Sequence, residues 1–153
     1  MYFTTHALVG AALGARMGSP AAAVAAGLLS HAILDAVPHH DAAGPRDALV
    51  DVALGLVGLF LLRRHMGPLA WWGALAATLP DVEVVLRYYG VLHPSPWGFP
   101  SHNWAFLHHR SPPPGGVLVQ APFLLLALLS LVSRAQRCSP GCRIWRTRTP
   151  GRG

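Results

Sequence analysis

Residues 115–135 read GGVLVQAPFLLLALLSLVSRA, a run with no acid and no base before Arg134. An α-helix rises about 1.5 Å per residue, so about twenty apolar residues cross a hydrocarbon core of roughly 30 Å. The run has that length and predicts a membrane-spanning helix, the clearest in the chain. The whole composition agrees with it. Of 153 residues, 52% are hydrophobic and only 12% are charged, about half the charge of an ordinary soluble domain. Ala, Gly, Pro and Arg dominate, and all twelve basic residues are arginine. Compositional bias of that kind still leaves a water-facing surface short of polar cover, so the sequence reads as a membrane protein.

Four further apolar segments precede the run. The first, about Thr5 to Met17, is too short to span alone and predicts a half-span or tilted helix packed against neighbours. Thr4 or Thr5 is its expected N-cap, and Gly18 and Pro20 end it. The second runs from Pro20 to about Val37 and is rich in Ala and Gly, which favours close helix packing. The third covers about Arg46 to Leu62. The fourth follows Gly67-Pro68 as LAWWGALAATLPDVEVVLRYYG, where Pro80 is expected to break or kink the helix beside Asp81 and Glu83. Within the loop from about Val91 to Pro114, SHNWAFLHHR (101–110) predicts a short amphipathic helix at the interface. The expected fold class is therefore all-α: a polytopic membrane helical bundle of four to five helices, some short or broken, with one interfacial helix. Residues 1–134 form the membrane-embedded domain and 135–153 a basic, disordered tail. The start, MYFTTHALVG, lacks the basic region of a cleavable signal peptide.

Charge is segregated along the chain. All six acids lie between Asp35 and Glu83, and six of the twelve arginines lie in the last twenty residues. If five segments alternate from an external N-terminus, then Arg16, Arg63, Arg64 and the tail fall on the inner side, as positive-inside bias expects. The same threading sends His6, the 31–41 stretch, Asp47, Asp51, Asp81 and the 102–109 histidines to the outer face. The expected location is thus a bacterial-type inner membrane, multi-pass, with a cytoplasmic tail and membrane lipid as its partner. One aromatic, Trp145, and no recognisable module in the tail argue against nucleic-acid binding. Cys138 and Cys142, in that tail, read as free thiols.

The scarce titratable groups concentrate in SHAILDAVPHHD (30–41). His31 and Asp35 are four apart, hence on one helix face, and offer a nitrogen and an oxygen to a divalent metal. Pro38 ends that helix and presents His39, His40 and Asp41 in a turn. Asp35, Asp51, Asp81 and Glu83 all sit in or beside apolar spans, where a charge costs roughly 2.5–3.5 kcal/mol and generally has a partner or a function. Asp47 reads as a helix-start residue complementing the dipole; for Asp51, one turn deeper, that role and a functional one are both open. Asp81, after the expected break, is placed to line a polar cavity. His102 and His109, seven apart, would share a helix face, with His108 about 100° round. His65 and His93 carry no expected role. There is no G-x-S-x-G elbow, no P-loop and no lysine, which leaves a His/Asp metal site as the chemistry available.

In their order, THALVGAALG, SHAILDAVPHHD, LPD and SHNWAFLHHR resemble the membrane-bound metal-dependent hydrolases of the YdjM-like inner-membrane group, over roughly residues 4–130. A weaker similarity links the Thr-His start and the Pro-Asp motif to zinc-dependent phospholipase C. The resemblance implies metal-ligand roles for His6, His31, Asp35, His39 and Asp81, with His102, His108 and His109 completing the site. Many members carry His-Arg-x-x-Thr-His; this chain reads HHRSPPPG, without the later Thr-His, so His102 or His108 takes that place. The function so implied is an integral membrane hydrolase. Its cofactor is a divalent metal, with zinc expected from the mixed imidazole and carboxylate donors. A metal-activated water attacks an ester or phosphoester of a lipid or lipid-linked substrate, with Asp51 or Glu83 as base. The alternative is a non-catalytic membrane protein that binds or transports a metal ion.

Overall fold

The structure is a computed structural model that describes residues 1–93, 98–103 and 109–137. These residues form α1 (Phe3–Gly14), α2 (Pro20–Ala36), α3 (Pro45–Leu62), a 3-10 turn (Arg63–His65), α4 (Pro68–Tyr88), α5 (Pro100–Asn103), α6 (Gly115–Leu118) and α7 (Gln120–Arg137). The fold is all-helical among the described residues, with only an isolated bridge between His39 and Arg110. Proline opens α2, α3 and α4, where its missing N–H is not needed. Ser19 caps α2 by accepting the Ala22 N–H at 3.2 Å.

α1 is the central helix. Eight of its twelve residues are buried, because it is apolar on every side and packs against α2, α3, α4 and α7. Small residues let it approach α4 closely. A Cβ placed on Gly10 would lie 2.6 Å from the Gly73 carbonyl oxygen, and one on Gly73 would lie 2.8 Å from the Gly14 Cα. A side chain at either position would therefore force the helices apart.

The pairings also give the helix directions. Gly10 and Gly14 of α1 meet Gly73 of α4, with Gly10 also reaching Ala77 and Gly14 reaching Leu69, so these two helices are antiparallel. Asp51 of α3 binds the start of α1 while Gly58 faces Leu8, and Gln120 and Ser130 of α7 bind Thr5 and Arg16. Both helices therefore run parallel to α1. One end of the bundle gathers the start of α1 and the ends of α2 and α4. The other gathers Arg16, Arg63, Arg64 and Arg134.

Two helices, Pro68–Tyr88 and Gly115–Arg134, are long and apolar enough to cross a membrane. Large apolar side chains face outward along the bundle, including Leu54 and Phe60 of α3, Leu75 and Leu79 of α4, and Leu125 and Leu126 of α7.

Three local expectations differ from what is found. Neither Thr4 nor Thr5 caps α1; the N-cap is Tyr2, without a side-chain cap bond, and side chains from α3 and α7 supply the missing acceptors. Pro80 does not break α4, which is helical from Pro68 to Tyr88; the packed helix runs on with only the one backbone donor at Pro80 missing. His102 and His109 do not share a helix face: His102 lies in α5, whereas His109 is in irregular backbone with an exposed side chain. Residues 104–108 of the expected interfacial helix, His108 among them, and the tail from Cys138 lie outside the described residues.

Candidate metal centre

The end of the bundle that holds the helix termini carries the acids and histidines. α1 is fixed there through its own N-terminus. The Phe3 and Thr4 N–H groups donate to the two carboxylate oxygens of Asp51 at 2.5 and 3.1 Å, and the Thr4 hydroxyl donates to the Asp51 carbonyl at 2.8 Å. Gln120 Oε1 accepts the Tyr2 N–H at 3.0 Å and the Thr5 hydroxyl at 3.1 Å. Its Nε2 donates to the His40 and Gly116 carbonyls at 2.8 and 3.2 Å. The free donors of a helix start are thus met by an anion and an amide from two other helices, and the anion also complements the dipole. Their effect is to hold His6, one turn along, at a fixed place.

His6, His31 and Asp35 are all fully buried. Helical spacing on α2 brings His31 Nε2 to 3.0 Å from Asp35 Oδ2, and α1 brings His6 Nε2 to 3.3 Å from Asp35 Oδ1. The His6 and His31 rings stack at 4.0 Å between centroids, 21° apart in plane. From α5, His102 Nε2 lies 3.3 Å from Asp35 Oδ2, 3.1 Å from His31 Nε2 and 3.7 Å from Asp81 Oδ1. Ser101, beside it, donates its hydroxyl to Asp35 Oδ2 at 2.7 Å.

His31 has a defined tautomer. Its Nδ1–H donates to the Ala77 carbonyl at 2.7 Å, in the turn of α4 just before Pro80. Pro80 lacks the N–H that would bond to the Ala76 carbonyl, one residue before the carbonyl that His31 meets. The remaining nitrogen, Nε2, is then an acceptor aimed at another nitrogen and a carboxylate oxygen. His31 Nε2, His102 Nε2 and Asp35 Oδ2 form a triangle with sides of 3.0, 3.1 and 3.3 Å. Donors about 2.0–2.1 Å from a tetrahedral ion stand about 3.3–3.4 Å apart, so the spacing is that of one face of a coordination shell.

A proton on His31 would pair it with Asp35 but leave His6 unserved. Neither His6 ring nitrogen makes a well-formed hydrogen bond, Nε2 meeting only Asp35 Oδ1 at 3.3 Å, and an unmet buried polar group costs about 1–3 kcal/mol. A cation held between these donors would be met by one ring nitrogen each of His6 and His31 and by the Asp35 carboxylate together. Among the described residues, two overlapping groups have ligand atoms within 4.8 Å of one another: His6, His31 and Asp35, and His31, Asp81 and His102. The buried His/Asp groups could therefore hold a metal ion.

The structure does not bring every expected residue into this cluster. His39 is fully buried next to it, with Nδ1–H donating to the Val37 carbonyl at 2.6 Å and Nε2 2.9 Å from Asp41 Oδ1. Asp41 also meets Arg110 Nε at 2.9 Å and the Met1 amino group at 2.7 Å, and that amino group lies 3.4 Å from Asp35 Oδ1. His109 contributes backbone only: its N–H donates to the Asp35 carbonyl at 3.3 Å and its carbonyl accepts from the His39 N–H at 3.0 Å. Asp51 caps α1, as described. Glu83 accepts the Phe99 N–H at 2.9 Å and pairs with Arg87 one turn on.

Three participants have no counterpart among the expected residues. Gln120 is a lone amide in an apolar helix, a signal available in the sequence because such groups seldom lack partners. Ser101 carried no such signal. The Ala77 carbonyl carries no side-chain signature at all. Comparison with family models, with curated proteins and with solved structures finds no match to this chain.

Proposed function

We propose that the chain is a multi-pass membrane protein whose His/Asp cluster holds a divalent metal, zinc by its donor set, and hydrolyses an ester or phosphoester of a lipid or lipid-linked substrate. The carrying observation is the triangle of His31 Nε2, His102 Nε2 and Asp35 Oδ2, with the tautomer of His31 set by Ala77. His6, His31, Asp35 and His102 would hold the ion. When bound, it supplies Lewis acidity and an activated water. Ser101 keeps Asp35 oriented, and Asp81 stands at the rim, with its Oδ2 lacking a hydrogen-bond partner. In this reading that oxygen is the proton acceptor, in place of the ligand role expected for Asp81, since Asp51 and Glu83 are engaged in backbone and ion-pair contacts. The likeness to membrane-bound metal-dependent hydrolases supports the same reaction class.

Two features support the membrane setting. The outward faces of α3, α4 and α7 are apolar, beyond what a monomer in water usually exposes. The arginines at the far end match a cytoplasmic side, while Arg46, Arg87 and Arg110 lie at the cluster end, the last two paired with Glu83 and Asp41. Ion transport is the weaker reading. A path would need polar groups continuing towards the arginine end, yet 7–14 of α1, 20–29 of α2 and 68–77 of α4 contain no ionisable residue.

The test is metal analysis of detergent-purified protein prepared without chelator, beside His31→Ala and Asp35→Ala. The wild type is expected to carry stoichiometric metal and both variants to lose it. A metal-free wild type would sink both the hydrolase and the transport readings. Retained metal without turnover of any ester or phosphoester lipid in vesicles would leave a binding protein and overturn hydrolysis.

A further inference from the structure

Beside the cluster lies a groove of about 400 Å³, within the range of pockets that take small ligands. Leu28 of α2, Leu79, Val82 and Leu86 of α4, and Leu92 and Phe99 form most of its wall, and Glu83, paired with Arg87, is the one ionisable residue in it. Phe99 separates it from the metal-binding residues: its ring meets the His31 ring edge-on at 5.1 Å and lies 6.1 Å from that of His102. Its N–H, anchored on Glu83 at 2.9 Å, keeps that partition in position. Pro80, also in the wall, immediately precedes Asp81.

The groove is open on one side. Leu79, Val82 and Leu92 are exposed, and the apolar strip continues outward along α4 through Leu75. An apolar trough that opens onto an apolar surface is a poor site for water or a polar metabolite. Its chemistry suits a flexible hydrocarbon chain arriving sideways from a bilayer.

We propose that this groove seats one acyl chain of a membrane glycerophospholipid, so that the ester or phosphoester end of the lipid lies at the His/Asp cluster. This deepens the hydrolase reading and rests on its membrane setting. Leu28, Leu86 and Phe99 then set the chain that is accepted, while the cluster sets the bond that is cut.

The test uses the full chain in nanodiscs of phosphatidylcholine doped with a phosphatidylcholine bearing a diazirine on one acyl chain. Light expels dinitrogen, and the resulting carbene inserts into a neighbouring C–H bond, so peptide mapping records where the chain rests. Peptides containing Leu28, Leu86 and Leu92 are expected to be labelled about tenfold above the outward-facing Leu54 peptide, the advantage of roughly two more buried methylenes. Leu86→Trp and, independently, Leu28→Trp are expected to remove that excess while leaving metal content unchanged. Labelling spread evenly over groove and outer surface in the wild type overturns the proposal, whether or not either variant folds. An excess that survives both substitutions overturns it as well. Metal analysis of the same wild-type preparation separates the two readings: groove labelling in a wild type shown to be metal-free keeps the acyl site and removes the hydrolase. Bound metal with even labelling does the reverse.

Discussion

The imidazole of His31 is held by the backbone of another helix, its Nδ1–H donating to the Ala77 carbonyl at 2.7 Å. A ring locked in this way presents Nε2 as an acceptor in a fixed direction, as metal-ligating histidines generally do. The carbonyl lies one turn before Pro80, which does not interrupt the helix. His31 thereby couples the packing of α2 on α4 to the geometry of the cluster.

Ser101→Ala removes the hydroxyl that orients Asp35 at 2.7 Å without touching a proposed ligand. Loss of such a supporting bond typically weakens metal binding by about 10–100-fold. Competition against a chelator series should show that drop with the helical circular dichroism unchanged. An affinity equal to wild type would show that Asp35 needs no such support.

Asp51→Asn tests whether this carboxylate is a cap or a base. As a cap of α1 it should contribute about 0.5–2 kcal/mol, so the variant should melt several degrees lower and keep its metal and its turnover per folded molecule. Loss of turnover at unchanged melting temperature would return Asp51 to the chemistry. Asp81→Asn has the opposite expectation: stable protein, retained metal and abolished hydrolysis.

Gly10→Val and Gly73→Val each place a side chain where the α1–α4 crossing has no room, against backbone at 2.6 and 2.8 Å. Overpacking of this kind costs about 1–3 kcal/mol or more, and both variants should lose thermal stability and metal together. Gly58→Ala is the control, because its Cβ would meet only Leu8 at 3.9 Å. Wild-type melting of Gly73→Val would mean that the helices do not cross so closely.

Orientation can be read on α3 alone. In a chain with Cys138→Ser and Cys142→Ser, Arg46→Cys at the start of α3 and Arg64→Cys in the 3-10 turn after its end report the two sides, both at exposed positions. A membrane-impermeant maleimide should label Arg46→Cys on intact spheroplasts and Arg64→Cys only on inverted vesicles. Labelling of both from one side would exclude a spanning α3.

Much of the helical plan was legible along the chain. Proline starts and apolar runs located α2, α3 and α4 to within a residue or two, because those signals act locally on the backbone. The four-residue spacing of His31 and Asp35 likewise placed both donors on one helix face. Pro80 is a local breaker signal that tertiary packing overrides: α4 runs unbroken from Pro68 to Tyr88 against α1 and α2.

The amino-acid sequence by itself determined the helical class, the starvation of charge and the concentration of nitrogen and oxygen donors in a few segments. Only the tertiary structure decided which of those donors meet. His6, Asp81 and His102 reach Asp35 or His31 because α1 is clamped at its start by Asp51 and Gln120 and crosses α4 on glycine. Asp51, indistinguishable from a catalytic acid in the linear chain, became a cap because a parallel helix put an unsatisfied N-terminus against it. Periodicity acts between residues a turn apart, whereas a site is assembled by contacts between helices, and those follow from packing.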